Sequence, residues 1–370
     1  MLFLGFSSGL PILLIFSTLS VWLFKAGIDR STITLFSWVG FAYAFKYLWS
    51  PIVDNFKIPF FEKLGHRRSW LLFTQSMIII SLVAISLTNP AQNLILTVIT
   101  ITFLAFFSAT QDVVIDAYRI ESVSHKLQGP LSSMYIAGYR LAMLVGGAGS
   151  LWLASYFGSE TYNVHVWQKV YLIMALLMFV GVITTFFSDE PRIKNKKFFD
   201  INQHIKLFLV FILALLGFIV FYNFLQNPFN SNKIFEQFIF SILRILLCFT
   251  FAGTIIFLSI KNNFISKNKT IKIYLDPIKN FIKRYGKAAF FILLLIALYR
   301  IADIVMGVIA NIFYLEKGFN IQDIATYSKF FGVFATILGG FLGGFFSLKF
   351  GTMKSLFLGA VVAAGSNLLF

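Results

Sequence analysis

Charged residues are scarce in this sequence of 370 residues. They make up 12% of the chain, against 58% for apolar residues, whereas a soluble domain carries about a quarter charged residues. A chain with so little charge cannot cover a water-facing surface. The composition therefore excludes an ordinary soluble protein and indicates that lipid is the main solvent of the fold.

Acidic residues are the scarcer of the two signs. Asp and Glu number 15 against 31 Lys and Arg, and the net charge is +16. In a soluble chain this excess would suggest nucleic-acid binding. In an apolar chain it favours another interpretation, because basic residues collect in the cytoplasmic loops of membrane proteins. We expect no nucleic-acid partner.

Cysteine is nearly absent. Cys248 lies in an apolar run and has no second thiol with which to form a disulfide or bind a metal. The four histidines lie in or beside loops, and none forms a ligand pair at helical spacing. We therefore predict no metal site and no cofactor.

Long apolar runs dominate the sequence. A transmembrane helix needs about 20 mainly apolar residues, whereas a membrane strand is about ten residues long and alternates strictly. Runs of helical length predict an all-α polytopic membrane protein. Eleven of them lie near 2–24, 32–50, 69–88, 93–116, 131–156, 166–187, 206–226, 236–260, 288–313, 325–346 and 353–370.

Basic residues lie in alternate loops. Segment 88–92 has no charge and segment 157–165 has only Glu160. The positive-inside rule places the basic loops, and with them the N-terminus, in the cytoplasm. The basic loops are 54–68, 117–130, 188–206, 261–287 and 347–354.

Two basic linkers divide the chain. Segment 188–205 follows the sixth run and segment 261–287 follows the eighth, so the runs between them resemble an inserted hairpin at about 206–260. The predicted domains are an N-terminal six-helix bundle (1–187), linkers flanking the hairpin (188–287) and a partial C-terminal bundle of three spans (288–370).

The loop after the second run carries a motif. Asp54 follows Pro51, and Gly65 precedes Arg67 and Arg68, which resembles the loop pattern Gly-x-x-x-Asp-Arg-x-Gly-Arg-Arg of major-facilitator transporters. An acid at a helix end beside basic groups can lock one side of a rocking transporter. We predict this gate role for Asp54, Arg67 and Arg68.

A weaker copy of the motif lies in the second half of the chain. Segment 344–354 keeps the glycines and the basic positions but has Leu348 at the place of the acid. Repetition at matching positions in both halves is expected of a two-bundle transporter.

The fourth run carries ionisable residues on one helical stripe. Asp112, Asp116 and Arg119 are spaced by four and three residues, and Gln111 is adjacent. Charges inside a membrane are costly and mark function or pairing. Either they carry protons or work a gate, or Asp116 and Arg119 pair with each other or with the basic loop. Asp112 is the deepest, and we expect it in proton coupling, in substrate contact or in a structural pair.

Further polar residues lie inside other runs. The candidates for a substrate cavity are Lys46, Tyr139, Arg140, Arg300 and Asp303, together with Gly9 of the first run and Gln111 of the fourth. Buried cations there would suit a substrate that bears carboxylates. The alternative is neutralisation within a run, for example of Arg300 by Asp303 at a spacing of three residues.

Small residues open the first run. Gly9 precedes Pro11 in a stretch with Gly5, Ser7 and Ser8. Such a face favours close helix contact, or a kink beside the cavity in the case of Gly9 with Pro11.

Several longer strings resemble one family, the AmpG-type muropeptide permeases of the major facilitators, near the acetyl-CoA transporter group. The likeness is strongest in the first six runs. The strings are GFSSGLP (5–11), WLFKAGID (22–29), FSWVGFAYAFKYLWSPIVD (36–54), GHRRSWLL (65–72), SATQDVVIDAYRIE (108–121), GYRLAMLVGGAGSLWLA (138–154) and, more weakly, YRIADIVMG (299–307) and FGVFATILGGFLGG (331–344).

The resemblance implies a two-bundle transporter with two extra central spans, and not an enzyme. It implies import of anhydro-muropeptides, a sugar-peptide cargo, through the bacterial inner membrane, driven by the proton gradient. By matching position, Gly9, Gln111 and Asp112 lie in strings that matter for transport. We expect a monomer in the bilayer.

The resemblance also leaves alternatives open. The family has fourteen spans, so eleven runs lead us to expect an incomplete C-terminal bundle. The substrate could be another anionic solute, such as an acyl-CoA or nucleotide conjugate, or the chain could be a non-transporting remnant. A membrane enzyme acting on lipid-linked sugars is disfavoured, because the outer loops are short and the acids lie on the inner half.

Overall fold

The computed structural model describes residues 1–56, 58, 64–123, 127–158, 162–191, 201–225, 234–271, 276–350 and 352–367; for 296–308 and scattered positions elsewhere it describes the backbone alone. Every regular element within these ranges is helical. The all-α fold predicted from the apolar runs is confirmed.

The first run forms one rod from Leu2 to Lys25. Pro11 lies inside its first helix, and the rod continues past it and widens into a π-helical turn at Leu14–Thr18. The rod is therefore not broken at Gly9. Its parts are α1 (Leu2–Leu13), the π turn and α2 (Leu19–Lys25).

The second run, for which the sequence predicted a span near 32–50, is built from several short helical pieces instead of one continuous α-helix. Aromatic residues crowd this stretch and lose side-chain freedom in a helix. Pro51 has no backbone N–H to donate to a preceding turn, so it is tolerated in the first turn of a new helix, which begins at Ser50. Its pieces are α3 (Arg30–Leu35), a 3-10 turn (Phe36–Gly40), α4 (Phe41–Ala44), a second 3-10 turn (Lys46–Leu48) and α5 (Ser50–Asn55).

Runs three to six form long helices. Side-chain caps begin two of them, because Asn93 accepts the backbone N–H of Leu96 and Asn163 accepts that of His165. The helices are α6 (His66–Ser86), α7 (Leu94–Ser122), α8 (Gln128–Leu144), which continues through a π turn (Val145–Gly149) into α9 (Ser150–Tyr156), and α10 (Val164–Phe187).

The remaining helices follow the other predicted runs and the linker after the eighth. They are α11 (Ile201–Phe224), α12 (Ile234–Lys261), α13 (Lys267–Thr270), α14 (Asp276–Tyr285), α15 (Ala288–Glu316), α16 (Ile321–Asp323) with a π segment (Ile324–Phe330), α17 (Phe331–Phe350) and α18 (Thr352–Asn367).

Within the described residues, 7 helical rods are long and apolar enough to cross a bilayer. The protein is a multi-pass membrane protein. The rods are Leu2–Lys25, His66–Ser86, Leu94–Ser122, Met134–Tyr156, Val164–Phe187, Lys206–Phe224 and Ile239–Lys261.

The helices group into two compact units. One contains residues 1–46, 58–193 and 291–370, and the other contains 47–57 and 194–290, including the hairpin α11–α12. The functional domains drawn from the sequence (1–187, 188–287 and 288–370) stay a prediction.

The first unit is built on close contact between α1 and α8. A Cβ atom added at Gly9 would lie 2.5 Å from the backbone oxygen of Tyr139, and one added at Gly138 would overlap the backbone oxygen of Leu2. Small residues thus bring two backbones together. This contact places Ser8 of α1 beside Tyr135 of α8.

Candidate functional site

The Asp112 cluster consists of Asp112, Ser8, Lys46 and Tyr135. Asp112, on α7, is 7% exposed. The hydroxyl of Ser8 on α1 donates to its Oδ1 at 2.5 Å, and the Nζ of Lys46 lies 3.5 Å from its Oδ2. The Tyr135 hydroxyl on α8 lies 2.8 Å from Ser8 Oγ. Ser8 and Lys46 therefore reach the carboxylate directly from two other stretches of chain, and Tyr135 reaches it through Ser8.

The directions of the hydroxyl hydrogen bonds in the Asp112 cluster follow from the single proton that each hydroxyl can donate. Ser8 has one proton, which it donates to the ionised Asp112. Tyr135 must then donate to Ser8 Oγ across the 2.8 Å contact. Protonation of Asp112 turns this carboxyl into a donor and allows both hydroxyls to reverse.

Lys46 compensates the charge of Asp112 loosely. The distance of 3.5 Å between Nζ and Oδ2 exceeds the 2.7–2.9 Å of a strong charge-assisted hydrogen bond. The Lys46 side chain is 32% exposed, against 10% for that of Asp112. An isolated buried carboxylate would be costly, and the nearby ammonium lowers that cost.

Gln111 lies in a second buried contact beside the Asp112 cluster. Its Nε2 donates to Ser7 Oγ at 3.1 Å, and both residues are fully buried. Successive residues of α7 thus meet successive serines of α1. The sequence proposed Gln111 for the substrate cavity, and the structure shows its amide packed between helices.

Asp116 and Arg119 form a pair at the end of the stripe. Arg119 Nη2 lies 3.3 Å from Asp116 Oδ1, and its Nη1 donates to Ser132 Oγ at 2.6 Å. The guanidinium carbon lies 5.7 Å from the ring centroid of Tyr135. The pairing expected from the spacing is therefore present and touches the Asp112 cluster through Tyr135. Its role as a gate stays a prediction.

The motif arginines form what we call the Arg67 clamp, made of Arg67, Arg68, Glu121 and Glu190. Arg67 is 2% exposed and binds Glu121 at the end of α7 through two hydrogen bonds, from Nη2 to Oε1 (2.6 Å) and from Nε to Oε2 (2.7 Å). A bidentate pair of this kind is among the stronger polar contacts in proteins.

Glu190 and Arg68 complete the clamp after the end of α10. The carboxylate of Glu190 accepts the backbone N–H of Arg67 at 2.8 Å and of Arg68 at 3.0 Å, which caps the start of α6. Arg68 donates to the backbone oxygens of Thr185 (3.2 Å) and Phe186 (2.8 Å). The clamp thus ties the start of α6 to the ends of α7 and α10.

The other predicted site residues are spread more widely. Asp54 lies in α5, in the second unit. Tyr139 packs its backbone on Gly9, and Arg140 Nη1 lies 3.7 Å from Met143 Sδ on its own helix. Arg300 and Asp303 lie in α15, where the side chains fall outside the described part. The predicted roles of these residues stay untested.

Sequence reasoning missed four partners in these sites. Ser8 was taken for a packing residue, and Tyr135, Glu121 and Glu190 were not singled out. A weak signal existed for Tyr135, because it precedes Tyr139 by four residues on one helix face. Their partners are distant in sequence, so spacing along the chain could not identify them.

The whole chain matches a known family. The model of the Major Facilitator Superfamily covers residues 1–370. The chain belongs to this superfamily. The superfamily consists of transporters, so this protein is a transporter and not an enzyme.

This major facilitator is similar to transporters named AmpG. It is 30% identical over 367 residues to the putative transporter AmpG 4 of Rickettsia conorii, covering 99% of this chain and 71% of that protein. It is 31% identical to the putative transporter AmpG 1 of Rickettsia felis, with 99% and 74% covered. The anhydromuropeptide permease of Escherichia coli (strain K12) is 28% identical, with 99% and 58% covered. The AmpG-type resemblance seen in the sequence is confirmed.

Proposed function

We propose that this protein imports anhydro-muropeptides across the bacterial inner membrane by proton symport, with its N-terminus in the cytoplasm. The substrate class is suggested by relatives such as the anhydromuropeptide permease of Escherichia coli. The coupling is suggested by one observation: Asp112 is a buried carboxylate whose cation partner is loosely held.

Proton binding and substrate binding would be linked through Lys46. Ionised Asp112 attracts the Lys46 ammonium across 3.5 Å. A proton on Asp112 removes that attraction and frees the cation for a carboxylate of the substrate. Each ligand then favours the other, since linkage between two binding events is reciprocal. The hydroxyls of Ser8 and Tyr135 would reverse their donation and stabilise either state.

The Arg67 clamp and the Asp116–Arg119 pair would serve as the gate of this cycle. Both lie toward the end of α7 at which the basic loops are found, which the positive-inside rule assigns to the cytoplasm. Rocking between two access states requires contacts that hold one state and release in the other.

Uptake of a radiolabelled anhydro-muropeptide tests the proposal. Cells that lack their own permease would express this chain, and uptake would be compared with and without a protonophore. We expect uptake that the protonophore abolishes and that an excess of unlabelled muropeptide displaces. Uptake that resists the protonophore would contradict proton symport. An absence of uptake by a chain shown to be in the membrane would contradict the proposed substrate.

A further inference from the structure

Helix α14 (Asp276–Tyr285) has two chemically different sides. At about 100° per residue, Phe281, Ile282 and Tyr285 project within one arc of the helix. Lys279, Lys283 and Arg284 fall outside that arc, on the other side. The pattern is that of an amphipathic helix with a basic polar face.

The apolar side of α14 is open. Ile282 is 51% exposed and Tyr285 is 44% exposed, and the Phe281 ring lies 4.9 Å from that of Tyr285. A helix of 10 residues is marginal in water by itself, since isolated helices shorter than about 12–15 residues gain most of their stability from a surface that covers the apolar face. We therefore expect the exposed apolar side of α14 to be covered by another surface, which stabilises the helix.

The chain before α14 is held at the end of a membrane-spanning hairpin. After α12 ends at Lys261, the chain turns back, and Ile265 is buried against Leu207 and Val210 of α11. Leu207 belongs to the first turn of the span Lys206–Phe224. The linker at Ile265 thus lies level with the boundary of the span, and α14 begins 11 residues later, at Asp276.

The charge of the linker identifies the partner. Segment 261–287 contains eight basic residues and a single acid, Asp276. Bilayers present phosphate groups at the same level as the boundary of the span, and anionic lipids attract clusters of Lys and Arg next to membrane helices. An exposed apolar strip flanked by these basic groups matches the headgroup region. There the apolar side chains can contact acyl chains while the basic side chains contact phosphates.

We propose that α14 lies in the plane of an anionic lipid surface, with Ile282 and Tyr285 at the acyl boundary and Lys279, Lys283 and Arg284 on lipid phosphates. The helix then anchors the linker between α12 and α15. This inference does not depend on the transported substrate.

Spin labels at single cysteines test the orientation of α14. Cys248 is the one cysteine of the chain, so Cys248→Ser supplies the background for Ile282→Cys and for its neighbour Lys283→Cys. The full chain would be reconstituted in vesicles of phosphatidylethanolamine with phosphatidylglycerol, and in vesicles of phosphatidylcholine. Collision of each label with oxygen and with a water-soluble nickel chelate reports its depth.

We expect a several-fold higher oxygen-to-nickel ratio at position 282 than at position 283 in the anionic vesicles, and a smaller ratio at 282 in phosphatidylcholine. Equal access of nickel to both labels would overturn the proposal, and so would shielding of both from oxygen and nickel, which indicates a protein partner. An unchanged ratio at 282 in phosphatidylcholine would overturn the role of anionic lipid.

A charge variant tests whether the basic side chains hold α14 on the anionic surface. Lys279→Gln/Lys283→Gln/Arg284→Gln, with the label at 282, should lower the ratio in anionic vesicles to that in phosphatidylcholine. Lys169→Gln/Lys317→Gln removes exposed charges elsewhere in the chain and should leave the ratio unchanged. Equal loss in both variants would contradict a local contact of α14 with lipid.

Discussion

At the scale of single residues, Asp112 differs from the other acids on its helix in its burial. Asp116, one turn further, has a side chain that is 46% exposed and paired with Arg119. Asp112 is almost fully buried and takes its partners from elements distant in sequence. Buried carboxylates inside membrane proteins often belong to proton pathways, which is why we propose Asp112 as the coupling site.

Asp112→Asn removes the titrating group while keeping the size of the side chain. We expect proton-driven uptake of labelled muropeptide to fall by more than about tenfold, the factor that corresponds to ~1.4 kcal/mol, with membrane insertion unchanged. Uptake in cells, with the amount of inserted protein measured on blots, checks this. Full activity of the variant would remove Asp112 from the mechanism.

Asp29→Asn is a matched control for that substitution. Asp29 caps α3 outside the spans, and hydrogen bonds from the Ser31 and Thr32 side chains and the Thr32 backbone lower its pKa to about 2. It is therefore ionised at any pH used for uptake. Asparagine caps a helix as well as aspartate, so this variant should transport normally. Equal loss in both variants would point to a general effect of lost acid charge.

At the scale of helices, glycine sets the distance between α1 and α8. An added Cβ at Gly9 would meet backbone atoms of Tyr139, at 2.5 Å from the oxygen and 3.0 Å from Cα. Backbone atoms in a packed helix cannot move aside as a flexible side chain can. The contact therefore requires glycine for reasons of space, since the helical backbone at this position suits any residue.

Gly9→Ala should destabilise the protein by about 1–3 kcal/mol, the usual cost of overpacking. Thermal unfolding of the purified protein in detergent measures the effect. Gly253→Ala on α12 is the control, because nothing lies within 4 Å of an added Cβ there and alanine favours helices over glycine. An unchanged melting temperature for Gly9→Ala would show that α1 and α8 can separate without loss.

The Arg67 clamp acts on helix ends. Glu121→Gln removes the carboxylate that binds the nearly inaccessible Arg67 guanidinium through two hydrogen bonds, and removing one member of a buried pair costs about 3–5 kcal/mol. Replacing both members, in Arg67→Met/Glu121→Leu, should restore much of the stability, because a buried pair exchanged for apolar groups is often tolerated. Unfolding of the two variants in detergent measures this. No recovery in the double variant would mean that Arg67 acts mainly through other contacts.

At the scale of the whole molecule, charge decides the orientation in the membrane. The positive-inside rule places the turn after α6 outside the cytoplasm and the linker after α12 inside. In a Cys248→Ser background, Ala91→Cys should react with a membrane-impermeant thiol reagent in intact cells, whereas Asn262→Cys should react only after the cells are opened. Both positions are exposed. The reverse pattern would invert the proposed topology.

Much of the fold was predictable because lipid imposes a simple rule. A span must satisfy its own backbone and present apolar side chains, so runs of about 20 residues marked α6, α7, α10, α11 and α12. The second run was also predicted as a span, and that stays a prediction. Its division into short helices and 3-10 turns was not predicted, because hydropathy does not record the effect of crowded aromatic residues and Pro51 on helix continuity.

The candidate site was predictable in part. Helical spacing placed Asp112, Asp116 and Arg119 on one stripe and predicted the pair of Asp116 with Arg119, since these are contacts within one helix. Ser8, Tyr135, Glu121 and Glu190 were not recognised. Each meets its partner across helices, and the register between helices depends on packing that no local pattern records.

The sequence by itself determined that this protein is a helical membrane transporter. Its composition and the length of its apolar runs indicate a fold in lipid, and the sequence segments shared with AmpG-type permeases identify the family. Tertiary structure alone decided which groups surround Asp112 and what the motif arginines bind. The physical reason is that small residues on α1 and α8 let two backbones approach closely. That contact places Ser8 beside Tyr135 of α8, and the packing of α1 on α7 brings its hydroxyl to the carboxylate.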